Sequence, residues 1–115
     1  TDHLIVRGER FLIRKAVENL IHNAIDFAPT SSTVRISCER RRGTVALLVS
    51  DDGPGIPDYA KDRIFERFYS LPRPETGGKG TGLGLPFVKE VMELHGGSCE
   101  VTTNGQTTAT LLFPD

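Results

Sequence analysis

Residues 34–57 read VRISCERRRGTVALLVSDDGPGIP, and this stretch decides the fold. Val34 to Glu39 alternates apolar with polar residues, the pattern of a half-buried strand. Arg40 to Gly43 makes a turn. Thr44 to Ser50 is a second strand, more deeply buried, because Val45 to Val49 is unbroken apolar sequence. Asp51 to Pro57 holds two glycines and two prolines and is therefore a loop. Two strands joined by so short a turn pair antiparallel.

Upstream, Glu9 to Phe27 reads as a helix, with Ile13, Ala16, Val17, Leu20, Ile21 and Ala24 at three- and four-residue steps. Pro29 and Thr30-Ser31-Ser32 end it. Downstream, Asp58 to Phe65 is expected to be a short helix. From Glu66 to Gly80 no period survives, and Pro72, Pro74, Gly77, Gly78 and Gly80 argue for a mobile loop. A second long helix is expected from about Gly82 to His95, with Pro86 tolerable only in its first turn and Gly96-Gly97 stopping it. Ser98 to Thr103 and Thr107 to Phe113 form a closing hairpin around Asn104-Gly105. The expected architecture is a single α/β two-layer sandwich over residues 1–115, a mostly antiparallel sheet with helices on one face.

Composition limits what such a domain does. The 37% apolar and 25% charged residues are those of an ordinary globular chain. The 14 Lys and Arg against 15 Asp and Glu give no basic excess, so no nucleic-acid partner is expected. The longest apolar run is far too short to span a bilayer, and no signal-peptide pattern opens the chain. Cys38 and Cys99 have no CxxC or nearby His partner, so they form neither a metal site nor a disulfide framework. They are expected to be small hydrophobes in the strands of a reduced intracellular domain.

Three stretches carry possible chemistry. On the first helix Asn19, Asn23 and Asp26 share a polar stripe bordering the apolar face. The stripe either faces solvent or faces a ligand, and an amide oxygen suits Mg²⁺. Asp51-Asp52-Gly53-Pro54-Gly55-Ile56 leaves a buried strand directly. It is either a plain Asp/Gly turn or a pocket where Asp51 accepts from an exocyclic amine and the glycines admit a ring. Gly80-Thr81-Gly82-Leu83-Gly84-Leu85 opens the second helix, as a glycine hinge or as a phosphate cradle of backbone N–H groups. Its spacing is neither the dinucleotide fingerprint nor a Walker A loop. Between the last two lies Ile64-Phe65-Glu66-Arg67-Phe68-Tyr69, and Arg67, Arg73 and Lys79 are cations available to triphosphate oxygens.

In this order the elements resemble the catalytic, ATP-binding domain of sensor histidine kinases, within the wider family that includes DNA gyrase, the Hsp90 chaperones and MutL. Glu18 to Ala24 resembles the N box, Asp51-x-Gly53-x-Gly55-Ile56 the G1 box, Ile64 to Tyr69 the F box and Gly80 to Leu85 the G2 box. Within the family, the segments Asn23-Ala24-Ile25-Asp26-Phe27 and Ile56 to Arg73 look most similar to CreC-type sensor kinases.

The resemblance implies a Bergerat fold with an ATP lid at about 66–80. It implies that Asn23 binds Mg²⁺ with Asn19 beside the phosphates, and that Asp51 accepts from adenine. Gly53, Gly55 and Ile56 would shape the base pocket, and Phe27 would pack on the base. Gly80, Thr81, Gly82, Leu83 and Gly84 would hold the phosphates, with Arg67 and Lys79 as cations and Thr107 or Thr108 behind the adenine. Three departures stand out. Asp26 occupies a position usually Lys, Ser70 one that is often Arg, and the stretch between the F and G2 boxes is short.

The gyrase and Hsp90 branches carry a general-base Glu where this chain has Asn19, so hydrolysis of ATP is not expected to be efficient. Transfer to a protein histidine is expected instead. His3, His22 and His95 lack the acceptor context and read as structural or surface residues. The acceptor-histidine dimerisation domain is therefore expected upstream in a longer, inner-membrane-anchored protein. This domain would lie in the cytoplasm, and a response regulator would act downstream. The alternative is a degenerate ATP-binding interaction module, which Asp26 and Ser70 motivate.

Overall fold

The computed structural model describes residues 4–72 and 80–114. Helix α1 spans Arg10–Phe27, strands β1 and β2 span Arg35–Arg41 and Thr44–Asp51, helix α2 spans Gly84–Leu94, and strands β3 and β4 span Ser98–Thr103 and Thr107–Pro114. The sheet order is β1-β2-β4-β3, and every pairing among the described residues is antiparallel. The two-layer sandwich expected from the sequence is the observed fold. Helix α1 packs on α2 and β2, while α2 also packs on β3 and β4.

The core follows from the periodicities. Ala16, Leu20 and Ala24 of α1 meet Val88, Val91 and Met92 of α2 over a sheet row. In that row Val45 pairs with Phe113, Leu47 with Leu111, Val49 with Ala109 and Asp51 with Thr107. Alternate residues of a strand share a face, so this one row passes from dry core to Asp51 and Thr107.

Local chemistry sets the ends. Glu9 caps α1, its carboxylate accepting from the Leu12 N–H at 2.7 Å. Gly96, at φ +73°, terminates the turn after α2, and the Gly97 N–H donates back to the Met92 carbonyl at 2.8 Å. His95 joins the two helices. Its Nε2 accepts from the Glu9 N–H at 2.9 Å, which leaves Nδ1–H to donate to the Val91 carbonyl at 2.7 Å. A Cβ on Gly8 would lie 2.4 Å from this ring, so a side chain there would displace it.

Four local expectations change. The segment after Pro57 is not a regular helix. It is a 3₁₀ turn at Asp58–Ala60 followed by further turns, because the Ala60, Arg63 and Glu66 N–H groups each reach back three residues rather than four. Helix α2 starts at Gly84, not Gly82, because Gly82 sits at φ +74°. Strand β1 is exposed along its whole length rather than half-buried, because it is an edge strand outside the two-helix layer. Cys38 is accordingly exposed, whereas Cys99 is half-buried and burial pushes its thiol up to about 12. A thiol reagent at about pH 8 should therefore label one cysteine in the native protein and two after denaturation. Mass spectrometry of the adducts checks this. No helix among the described residues is long and apolar enough to cross a membrane.

Candidate nucleotide site

A cleft of about 350 Å³ opens where the core row ends, between α1, the segment after β2 and the start of α2. Asn19, Asn23 and Phe27 line it from α1, at the four-residue spacing that keeps them on one helix face. Asp51 and Thr107 close its floor, with Val49, Val101 and Ala109 as the apolar part. Gly80, Thr81, Gly82 and Gly84 line the side where α2 begins.

Asp51 is the unusual member. It is only 5% exposed at the end of an apolar row. One carboxylate oxygen accepts from the Gly53 N–H at 2.7 Å. Burial raises its pKa above the ordinary 3.8, against the lowering pull of that hydrogen bond and with a further rise from the neighbouring Asp52 charge. Asp52 itself turns away to Arg35, 3.5 Å distant. A buried carboxylate on the floor of a cleft is suited to a ligand donor.

The glycines work by what they exclude. A Cβ on Gly53 would stand 2.6 Å from an Asp51 oxygen and 2.7 Å from the Phe27 carbonyl oxygen. Gly55, at φ +83°, would clash with Thr103 at 2.5 Å, and the Thr103 hydroxyl accepts from the Ile56 N–H at 3.2 Å. The loop is thus tied to the end of β3. At the other side a Cβ on Gly84 would lie 3.4 Å from the Asn19 amide oxygen, which places Asn19 against the first turn of α2. The Thr81 hydroxyl accepts from the Leu83 N–H at 3.2 Å.

Eleven of the expected site residues line this cleft: Asn19, Asn23 and Phe27; Asp51, Gly55, Ile56 and Thr107; and Gly80, Thr81, Gly82 and Gly84. Gly53 acts from behind through Asp51. Leu83 does not line the cleft and is exposed. Arg67 does not line the cleft, because it forms an ion pair with Glu90 of α2. Arg73 and Lys79 lie outside the described residues. The sequence reading missed His22, Tyr69 and Ser70 as lining residues. It also missed Val49 and Ala109, which the period-two continuation of the core row would have given. Tyr69 is braced from behind by the Arg63 guanidinium, 4.3 Å from its ring centre. Among the described residues no cluster of three His, Cys, Asp or Glu could hold a metal ion.

Residues 8–115 match the family model described as histidine kinase-, DNA gyrase B- and HSP90-like ATPase. The chain belongs to that family. It is 54% identical over 97 residues to the sensor protein CreC of Escherichia coli K12, covering 84% of this chain and 20% of CreC. It is 43% identical over 112 residues to the sensor protein IrlS of Burkholderia pseudomallei, covering 95% of this chain and 24% of IrlS. The chain thus spans about a quarter or less of these relatives. Among solved structures, the mycobacterial sensor histidine kinase MprB superposes with a TM-score of 0.85 at 29% identity, over 95% of this chain and 76% of that one. A nucleotide-free catalytic domain of the histidine kinase ThkA gives 0.81 at 28% identity, over 95% and 71%. The HATPase domain resembles histidine-kinase catalytic domains along nearly its whole length.

Proposed function

We propose that this HATPase domain is the catalytic module of a two-component sensor histidine kinase. It binds Mg-ATP in the cleft and transfers the γ-phosphate to a histidine on a separate dimerisation domain. The observation that carries the reading is the buried Asp51 carboxylate at one end of a cleft whose other end is a glycine segment opening a helix. Adenine donates its amine to Asp51 and lies between Phe27 and the Val49–Ala109 floor. Thr107 stands behind it and Gly53, Gly55 and Ile56 shape the edge. The phosphates run toward Gly80–Gly84, where N–H groups and the α2 N-terminus favour negative charge.

Asn23 offers the metal a single amide oxygen. That fits Mg²⁺, which takes phosphate oxygens and waters as its remaining ligands. When bound, the ion neutralises phosphate charge. Asn19 holds the phosphate end beside Gly84. As a neutral amide it cannot take a proton from water, and the adjacent Glu18 is engaged by Arg14 at 3.4 Å and Lys15 at 3.6 Å. Transfer to a well-placed histidine nucleophile is therefore favoured over hydrolysis, since positioning and charge neutralisation supply most of the catalysis.

The acceptor domain lies upstream in a longer, membrane-anchored protein, and a response regulator takes the phosphoryl group from it. The test mixes this chain with an acceptor-bearing dimerisation domain and labelled ATP. Phosphohistidine should form on the acceptor and should vanish with Asn23→Ala, while Asn23→Ala still binds adenosine by calorimetry. ATP binding without any phosphohistidine would sink the kinase reading.

A further inference from the structure

The chain segments 68–70 and 80–82 run side by side next to the cleft. The Phe68 N–H donates to the Gly82 carbonyl at 2.8 Å, and the Gly80 N–H donates to the Ser70 hydroxyl oxygen at 3.2 Å. A step of two residues forward on one segment matches a step of two back on the other. That is antiparallel register, with a side-chain hydroxyl standing where a main-chain carbonyl would complete the second rung. The first rung is crowded. Phe68 lies at φ +69° and Gly82 at φ +74°, and a Cβ on Gly82 would come within 2.4 Å of the Phe68 backbone. The backbones approach this closely only because residue 82 is glycine.

From this arrangement we infer that Ser70 is a positioning residue. Its hydroxyl fixes the Gly80–Gly82 backbone along the cleft and so tunes the grip on the phosphates of ATP. The inference rests on the proposed nucleotide reading of the cleft. Ser70, Gly80 and Gly82 all line the cleft, on the α2 side rather than the Asp51 side. The Ser70 hydroxyl lies 3.4 Å from the Leu71 carbonyl, to which it donates, leaving a lone pair for Gly80. Alanine has no acceptor, whereas threonine keeps the hydroxyl at the same branch point.

Calorimetric titration of ATP and of adenosine into wild type, Ser70→Ala and Ser70→Thr tests the inference. Losing one such hydrogen bond should lower ATP affinity of Ser70→Ala by about 3- to 10-fold. Adenosine affinity should change by less than about twofold, because the lost rung lies on the phosphate side of the cleft and not beside Asp51. Ser70→Thr should restore the wild-type ratio of ATP to adenosine affinity. Melting curves without nucleotide separate this from damage to the fold, which would weaken both ligands together. An unchanged ratio in Ser70→Ala, or a Ser70→Thr as weak as Ser70→Ala, overturns the positioning role while leaving the nucleotide site standing. A wild-type domain that binds neither ligand overturns the cleft reading itself, and this inference with it.

Discussion

Asp51→Asn is expected to weaken ATP binding by about 1–3 kcal/mol, roughly 5- to 150-fold, without unfolding the domain. The Asn oxygen still accepts from the Gly53 N–H, as the Asp51 carboxylate does at 2.7 Å. The other arm becomes an NH₂ group and meets the adenine amine donor to donor. The nucleotide-free variant should keep or gain thermal stability, because the neutral amide avoids the burial penalty that raises the Asp51 pKa. Falling affinity with a steady or rising melting temperature is the signature. A parallel loss of both would assign Asp51 to the fold instead.

The same group gives the domain a pH dependence of known sign. Ionised Asp51 is the form that accepts from adenine, so ATP affinity should fall as pH drops through its raised pKa. This happens at higher pH than for an ordinary aspartate at 3.8. Stability of the empty domain moves the other way. In the window just above 3.8 the folded state holds the proton more tightly than the unfolded chain, so this group's contribution rises as pH falls. Calorimetry and denaturant titrations across mildly acidic pH, with Asp51→Asn as the flat control, separate the two trends.

Leu20→Ala carries the largest expected cost in stability, about 2–5 kcal/mol. Leu20 is 1% exposed, sits in the central cluster between α1, α2 and the sheet, and adjoins Asn19 on the helix that lines the cleft. Truncation leaves a cavity that close-packed neighbours cannot fill. A domain of this size has on the order of 5–15 kcal/mol to lose, so the variant should be marginal. Its urea midpoint should fall with little change in slope, and saturating Mg-ATP should recover part of the loss by binding only the folded state. A midpoint within the error of wild type would show that Leu20 is not a core residue.

Both effects trace to residues whose positions were legible in the sequence, each for a different reason. The α1 periodicity put Leu20 at the centre of the apolar face and Asn19 and Asn23 on its polar border, and the helix buries that face. Asp51 was legible because it ends an apolar strand and begins a glycine loop, a local break that sequence records directly. Arg67 was not. Its charge suited a phosphate equally well until α2 brought Glu90 to it, a neighbour 23 positions along the chain. Alternation in β1 suggested a buried face, but whether a helix covers a strand depends on the packing of the whole layer.

The chain by itself determined the two helices, the two hairpins and the polar residues that border them, because each follows from hydrophobic period, turn chemistry and backbone limits acting over a few residues. Only the tertiary structure decided which charges pair, which strand lies bare, how His95 fastens α2 to the start of α1, and that Ser70 meets Gly80. Those outcomes turn on distances of a few ångströms between segments far apart in the sequence. Local propensity has no term for such distances, and packing sets them all at once.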